Sequence, residues 1–145
     1  MNRIEEQVNK FYIAVDESDW QTVKSIFADS LELDYSSMSG QPAAYLKAED
    51  IVESWKALLP GFAYTHHQIG NMVTLENGDQ ASVFCYGTAS HYLENEGGNL
   101  WLVVGSYDLD LQQIGGNWRI TKLKFNFKFQ DGNLSLPQAA MGALK

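Results

Sequence analysis

The chain has 145 residues, of which 45% are hydrophobic and 19% are charged, and this suits one globular domain spanning residues 1–145. Its formal net charge of −8 repels phosphates, so we expect neither nucleic acid nor an anionic membrane as a partner. The chain has a single cysteine, no apolar core of a signal peptide and no apolar run long enough to span a bilayer. These features predict a cytoplasmic protein without an internal disulfide.

The N-terminal part of the chain shows helical periodicity, interrupted by one strand-like stretch. Apolar residues recur at helical spacing at Ile4, Val8, Phe11, Tyr12 and Val15. They predict an amphipathic first helix that ends near the polar cluster at 16–19, and a short second helix follows over 20–27. A strand at 31–35 and a loop at 36–42 precede a third helix over 47–59.

From Phe62 onward the apolar residues recur with period two, which is typical of strands. Four long strands are predicted, over residues 62–75, 80–92, 100–113 and 118–130. Short turns rich in asparagine and glycine separate them, and such turns join antiparallel neighbours. The sequence therefore predicts an antiparallel meander.

The last of these strands contains a slip in its apolar phase. Ile120 lies in one phase, whereas Leu123 and Phe129 lie in the other. Because side chains alternate between the two faces of a strand, the slip predicts a β-bulge near Thr121, and bulges bend a sheet. Residues 134–144 then form either a short final helix or a disordered tail.

Helices followed by a bent antiparallel sheet predict an α+β fold. We expect a cone-shaped fold, in which a curved, mainly antiparallel sheet carries the N-terminal helices across its open side and these close an interior pocket. Small side chains line one face of the strand over 80–92 and leave room for a ligand beside His91. We therefore place His91 and Tyr107 in one apolar cavity, the usual form of a small-molecule site. In the alternative, the glycines only mark bends and the pocket is small.

The opposite face of the predicted sheet is too apolar for the solvent face of a monomer. It carries Phe84, Tyr86, Leu102 and Val104. We therefore expect a homodimer in which two sheets pack against each other through this outer face.

Two of the three histidines are adjacent, in the segment Thr65-His66-His67-Gln68-Ile69-Gly70. Adjacent residues on a strand point to opposite faces. At most one of His66 and His67 can therefore face the interior.

The order of elements resembles the nuclear-transport-factor-2-like superfamily of cone-shaped α+β domains, and within it the SnoaL-like and scytalone-dehydratase-like branch. The resemblance covers nearly the whole chain and rests on Asp16-Glu17-Ser18-Asp19-Trp20, Leu33-Asp34-Tyr35, Thr65-His66-His67-Gln68-Ile69-Gly70 and Ser90-His91-Tyr92. The first is similar to an Asp-x-x-Asp-Trp turn between two helices, and the third to a Thr-x-His-x-Ile-Gly motif. The histidine of the Thr-x-His-x-Ile-Gly motif matches His67. The resemblance therefore implies that His67 lies in the pocket and that His66 faces outward.

This resemblance implies three catalytic residues, Asp16, His67 and His91. Scytalone dehydratase eliminates water from a cyclic ketone without a cofactor. Its pocket holds two histidines, an aspartate that supports one of them, and tyrosines that act on the carbonyl through water. Bile-acid dehydratases of the same superfamily likewise have an aspartate at the Asp16 position and a histidine near the His67 position.

The resemblance also implies the residues that contact the substrate. Tyr35 takes the position of one tyrosine of scytalone dehydratase, and Val15 replaces the tyrosine that precedes its aspartate. Gly105 and Tyr107 stand where that enzyme has a serine and an asparagine. The expected substrate contacts are Tyr35, Tyr107, Trp101 and Val15.

Each catalytic candidate also has a purely structural interpretation. Asp16 precedes an apolar run and suits the cap of the second helix. His67 would otherwise be a hydrogen-bonded core histidine, and His91 an exposed residue near a strand end. We expect no metal, because the histidines and Asp16 lack a recognised ligand spacing. The resemblance to scytalone dehydratase implies that no cofactor is needed.

Histidine suits general acid–base chemistry because its pKa lies near neutrality. We therefore expect a cofactor-independent enzyme of the dehydratase or isomerase type, acting on a small apolar, cyclic ketone or alcohol. One alternative is a non-catalytic small-molecule-binding or dimerisation module of the same fold. A second alternative resembles the small subunit of a ring dioxygenase, whose partner chain carries the iron.

Overall fold

Five α-helices, six β-strands and one 3-10 turn make up residues 3–144, the part of the chain that the computed structural model describes. The helices are α1 (Arg3–Asp16), α2 (Trp20–Ile26), α3 (Ser36–Ser39), α4 (Ala48–Lys56) and α5 (Leu136–Ala143). The strands are β1 (Phe27–Asp34), β2 (Ala44–Lys47), β3 (Tyr64–Asn77), β4 (Gln80–Tyr92), β5 (Leu100–Ile114) and β6 (Asn117–Gly132), and the 3-10 turn spans Leu59–Gly61. None of these helices is long and apolar enough to cross a bilayer.

The strands form one open, curved sheet in the order β2-β1-β6-β5-β4-β3. Strands β3 to β6 pair in succession as antiparallel neighbours, which confirms the predicted meander. Strand β1 pairs in parallel with β6 and antiparallel with β2. The α+β fold with a curved, mainly antiparallel sheet is therefore confirmed.

Helix α1 supplies the hydrophobic core with the apolar stripe that the sequence predicted. Ile4, Val8, Phe11 and Val15 are all buried, and α1 packs across β3. Burying one such side chain completely stabilises the fold by about 1.5–3 kcal/mol. Helices α2 and α4 continue the same layer with Val23, Ile26, Ile51 and Val52. The helices thus cover one side of the sheet.

The predicted bulge in the last strand is present. Asp110 pairs with Lys122, whereas Leu111 pairs with Ile120, so Thr121 is the extra residue in β6. Because of the bulge, the apolar side chains before and after Thr121 all lie on the inner face. The bulge also bends the sheet around the core.

A second bulge in β6 was not apparent from the sequence. Val104 pairs with Phe129, whereas Gly105 pairs with Phe127, so Lys128 is the extra residue. This bulge turns Phe129 to the outer face, where it is 52% exposed. The predicted common phase of Phe129 with the inward residues of β6 is therefore wrong at that end of the strand.

Several elements before the meander differ from the predicted ones. Strand β1 begins at Phe27, which the periodicity placed in the second helix, because the backbone there is already extended. Strand β2 lies on the sheet edge with all four residues exposed, so it lacks the alternation on which strand prediction depends. A single turn, α3, lies within the predicted loop.

The C-terminal residues form a helix, which decides between the two predicted possibilities. Leu136 and Ala140 of α5 are fully buried, and they pack against Phe62. Strand β3 begins at Tyr64, so the predicted start of this strand at Phe62 is wrong by two residues. A Cβ atom at Gly61 would lie 2.0 Å from the Ala140 carbonyl oxygen, so only glycine permits this close approach.

Candidate active site

A cavity of about 240 Å³ lies between the helices and the inner face of the sheet. Every substrate contact expected from the sequence borders it, namely Tyr35, Tyr107, Trp101 and Val15, as do His67 and His91. Phe11, Tyr12, Met38, Trp55, Leu58, Leu59, Ala89, Val103 and Phe125 complete the lining. The walls are mostly aromatic and aliphatic, with a few polar atoms, which is the composition expected of a small-molecule site.

Asp16, the last residue of α1, reaches across to β3 and binds His67. Its Oδ1 lies 2.7 Å from Nδ1 of the His67 ring, and its Oδ2 accepts a hydrogen bond of 2.7 Å from the His67 backbone N–H. The Thr65 hydroxyl donates to the same carboxylate at 3.1 Å. The cap of α2 is instead Asp19, which accepts a hydrogen bond from the Thr22 backbone N–H. Asp16 therefore supports His67, and the capping interpretation is wrong.

The charge on Asp16 determines which nitrogen of His67 carries a proton. Burial disfavours the carboxylate, but hydrogen bonds from His67 and Thr65 and the attraction of the imidazole charge outweigh it. The pKa of Asp16 therefore lies below its ordinary value. An ionised carboxylate only accepts hydrogen bonds, so Nδ1 of His67 must donate. In the neutral ring, Nε2 then has a free lone pair, and His67 is prepared to accept a proton at the cavity wall.

His91, on the adjacent strand β4, is held in a different environment. It is 5% exposed, and its Nδ1–H donates to the Trp101 carbonyl oxygen at 3.0 Å. Its ring stacks on the Trp101 indole at 4.3 Å between centroids and lies 5.0 Å from the Phe62 ring. Burial lowers the pKa of His91 to about 4, and the hydrogen bond to the carbonyl offsets this only in part. His91 is therefore neutral at pH 7.

The two histidines face one another inside the cavity. Their ring centroids lie 6.3 Å apart, and the ring planes cross at 80°. A carboxylate holds one imidazole, whereas a backbone carbonyl holds the other. The site thus combines a histidine oriented by a carboxylate with a second histidine that stays neutral.

Tyrosine hydroxyls supply the hydrogen-bond donors of the cavity. Burial raises the pKa of Tyr35 and of Tyr107 well above 10, so both hydroxyls remain protonated. Gly87 makes the space that Tyr107 occupies, because a Cβ at Gly87 would lie 2.2 Å from the Tyr107 ring. The small residues of β4 therefore admit an aromatic donor from β5 as well as leaving a cavity.

Tyr12 also borders the cavity, although its spacing in the sequence predicts only a place in the apolar stripe of the first helix. Its ring centroid lies 5.6 Å from that of His67 and 5.0 Å from that of Tyr107. One signal was available, since Tyr12 precedes Asp16 by four residues and therefore shares its helix face. A polar group such as the Tyr12 hydroxyl on an otherwise apolar stripe indicates that this part of the helix borders the site.

Three other polar or titratable residues, His66, Asp34 and Cys85, do not border the cavity. His66 is exposed on the opposite face of β3, as predicted. Asp34 accepts a hydrogen bond from the Ser36 backbone N–H. Cys85 is buried, and burial raises its pKa to about 12, so it packs as a protonated thiol. Within residues 3–144, no three His, Cys, Asp or Glu side chains are grouped in a way that suits a metal ion.

The family model of the SnoaL-like domain matches residues 1–124. This chain belongs to the SnoaL-like family. The resemblance inferred from the four local motifs is therefore confirmed. Among curated proteins, no relative matches this SnoaL-like chain.

Solved structures share the fold over nearly the whole chain. The Kfla4162 protein from Kribbella flavida is 24% identical, with a TM-score of 0.86, and the match covers 95% of this chain and 94% of that one. A proposed aromatic ring hydroxylase from Novosphingobium aromaticivorans is 21% identical, with a TM-score of 0.79 and the same coverage of 95% and 94%. A proposed scytalone dehydratase from that organism is 16% identical, with a TM-score of 0.73, covering 89% of this chain and 84% of that one. At these identities the likeness establishes the fold of this SnoaL-like protein.

Proposed function

We propose that this SnoaL-like protein is a cofactor-independent enzyme of the dehydratase or isomerase type. Its substrate would be a small apolar, cyclic ketone or alcohol bound in the cavity. The observation that carries this proposal is the Asp16–His67 pair, with 2.7 Å between carboxylate and Nδ1, at the wall of an apolar cavity. A carboxylate-supported imidazole is suited to move protons near neutral pH.

In the first step, Nε2 of His67 removes a proton from the carbon beside the substrate carbonyl. The C–H electron pair becomes the enolate, and Asp16 stabilises the imidazolium that forms. A hydroxyl donor on Tyr35 or Tyr107 stabilises the negative charge on the enolate oxygen, since burial raises both pKa values and keeps both hydroxyls protonated.

In the second step, the enolate electrons expel the substrate hydroxyl, and the His67 imidazolium returns its proton to this leaving group as water. The histidine ends neutral, so the cycle closes without an added co-reactant. In an isomerase the same proton returns to another carbon instead. Neutral His91 accepts a hydrogen bond from the substrate hydroxyl and orients it, since its low pKa keeps it from acting as the acid at pH 7.

The similarity to a proposed scytalone dehydratase supports this reaction class, although it establishes only the fold. The similarity to a proposed aromatic ring hydroxylase supports the dioxygenase-subunit alternative in the same way, through the fold alone. The non-catalytic alternative uses the same cavity, since a fold of this kind serves both binding and catalysis. Turnover by the isolated chain separates the enzyme from both alternatives.

The test uses two adjacent histidines as experiment and control. A panel of cyclic β-hydroxy ketones is incubated in deuterated water, and NMR follows deuterium entry beside the carbonyl while absorbance follows the enone product. We expect His67→Ala to reduce both rates by about 10²–10⁴-fold, the usual contribution of a general base. His66→Ala, which changes an exposed residue one position away, should leave both rates unchanged.

Two outcomes would contradict the proposal. Equal rates for His67→Ala and the unmodified protein would exclude His67 as the base. Binding of ketones without exchange or dehydration by the unmodified protein would favour the small-molecule-binding module.

We also propose that the protein is a homodimer through the outer sheet face. Val73 pairs with Phe84, and Phe129 pairs with Val104, so these side chains share that face. Val73, Leu75, Tyr86 and Phe129 are exposed there. An exposed apolar surface of this kind is typical of a protein–protein contact. A second copy of the same sheet would cover it.

A further inference from the structure

We propose that Tyr12 is a specificity-determining residue, whose hydroxyl selects ligands that present an uncharged oxygen acceptor, such as a ketone carbonyl, to the inner wall of the cavity. This inference rests on the proposed function, because it assigns the ligand of the same cavity. It adds a residue and a selection rule that the acid–base scheme does not need.

The Tyr12 side chain is only 4% exposed, and its ring borders the cavity. Among residues 3–144, no group forms a hydrogen bond of acceptable geometry with its hydroxyl. Burial and, to a smaller extent, the neighbouring Tyr107 raise the pKa of Tyr12 above its ordinary value, so this hydroxyl stays protonated and can donate. A buried hydroxyl without a partner is costly, and proteins seldom retain one in an ordinary core position.

The position of this hydroxyl relates it to the chemistry. Its ring lies 5.6 Å from His67 and 5.0 Å from Tyr107, so a ligand atom that reaches Tyr12 also lies near the proposed base. Tyr12 and Tyr107 come from different elements, α1 and β5, and both border the cavity. Two neighbouring tyrosine hydroxyls are suited to a single carbonyl oxygen, which has two lone pairs.

The charge around the cavity disfavours anions, and its mostly apolar walls disfavour any ionised ligand. Among the residues in 3–144 that border it, none is a lysine or an arginine. Ionised Asp16 lies directly behind His67 and would repel a carboxylate or a phosphate. The volume of about 240 Å³ lies below the ~300 Å³ at which drug-sized pockets begin. The ligand class is therefore a small, uncharged, mostly hydrocarbon molecule with one oxygen acceptor for Tyr12.

The experiment measures binding of a matched pair of probes, 2-tetralone and the hydrocarbon tetralin, which share a skeleton and differ in the carbonyl. Quenching of tryptophan fluorescence reports binding, since Trp55 and Trp101 border the cavity. The variants are Tyr12→Phe and, as a matched control, Tyr45→Phe, whose ring is 75% exposed on the edge strand. Thermal unfolding of each protein accompanies the titrations.

We expect Tyr12→Phe to weaken 2-tetralone binding by about five- to tenfold, the value of one hydrogen bond, and to leave tetralin binding unchanged. Its Tm should equal or exceed that of the unmodified protein, because the variant removes a buried hydroxyl without a partner. Tyr45→Phe should change neither affinity.

Three results would overturn the inference. In the first, 2-tetralone binds Tyr12→Phe as tightly as it binds the unmodified protein. In the second, both probes weaken equally while the Tm falls, which is the behaviour of a structural core residue. In the third, the unmodified protein binds neither probe up to the limit of solubility. Because binding is read without turnover, these results are independent of the His67→Ala test, and the proposed function can fail or stand separately.

Discussion

The Asp16 carboxylate binds His67 at two points, the ring Nδ1 and the backbone N–H, each at 2.7 Å. The ring contact fixes the tautomer, and the backbone contact fixes where the strand lies relative to helix α1. One carboxylate thereby joins the helical layer to the sheet at the wall of the cavity. The pair is both a structural tie and the proposed source of acid–base chemistry.

Asp16→Asn should separate these two roles. The amide keeps a carbonyl oxygen for the backbone N–H, but it carries no charge to stabilise an imidazolium. Its NH₂ group also favours the tautomer in which Nε2 of His67 is protonated. We expect proton exchange and dehydration to fall by about 10²-fold or more, as measured by the NMR and absorbance assays.

Asp19→Asn is the matched control for this substitution. It makes the same chemical change three residues later, at the exposed cap of α2, where asparagine caps as well as aspartate. Its rates should equal those of the unmodified protein. Equal losses in the two variants would show that the effect of Asp16→Asn is not specific to the His67 contact.

His91 should make the folded protein less stable in mild acid. Its pKa is about 4 in the folded protein and near 6.5 in the unfolded chain, so between these values the unfolded state binds the additional proton. Stability from this group is complete above pH 6.5 and falls as pH drops towards 4. The loss is about 2–3 kcal/mol at pH 4.5 relative to pH 7, measured by urea unfolding.

His91→Phe should flatten this pH dependence, since phenylalanine keeps the stacking on Trp101 and has no proton to bind. His66→Gln, at an exposed position, should leave the dependence as it is in the unmodified protein. An unchanged slope in His91→Phe would show that the buried imidazole is not its source. Asp16 acts in the same direction. Its pKa is lowered in the folded protein, so the stability that it contributes is also lost as the pH falls, but at a lower pH than for His91.

Gly87→Ala should displace Tyr107 from its place in the cavity. A Cβ at Gly87 would lie 2.2 Å from one carbon of the Tyr107 ring and 2.8 Å from another, so the ring must move. Overpacking of this kind costs about 1–3 kcal/mol, measured as the change in free energy of unfolding in urea. Ketone binding should weaken in parallel, because one donor leaves its position.

Gly70→Ala serves as the control for that substitution. Gly70 lies on β3, and an added Cβ there would meet no atom within 4 Å. Its stability and its ketone affinity should match those of the unmodified protein to within experimental error. If Gly87→Ala behaves like Gly70→Ala, the cavity accommodates Tyr107 in more than one position.

Leu75→Glu should dissociate the proposed dimer. Leu75 is 69% exposed at the outer sheet face, so the change should not disturb the isolated fold, but it would bury a charge in a sheet-to-sheet contact. Light scattering during gel filtration should give twice 16.3 kDa for the unmodified protein and 16.3 kDa for the variant. Ile13→Glu, at an exposed position on α1, should stay dimeric. A monomeric unmodified protein at micromolar concentration would contradict the proposal.

Local patterns in the sequence were sufficient for much of this fold. The helical stripe that begins at Ile4, the Asn-Gly turn at 77–78 and the phase slip at Thr121 each depend on neighbours close in sequence. The same holds for the opposite directions of His66 and His67, since alternation along a strand is a property of the backbone. Strand β2 and the bulge at Lys128 escaped prediction because exposed residues leave no such pattern.

The sequence by itself determined which faces are apolar, where the chain turns and that His66 and His67 point in opposite directions, while the resemblance to a family motif selected His67 as the inward one. Only the tertiary structure decided that Asp16 holds His67, that Trp101 fixes His91 and that the Tyr12 hydroxyl is buried at the cavity without a partner. The physical reason is that periodicity depends on the geometry of one element, whereas a side chain's partner depends on how separate elements pack. Asp16 on helix α1 and His67 on strand β3 are 51 residues apart in the chain, and the site exists only because these two elements pack together.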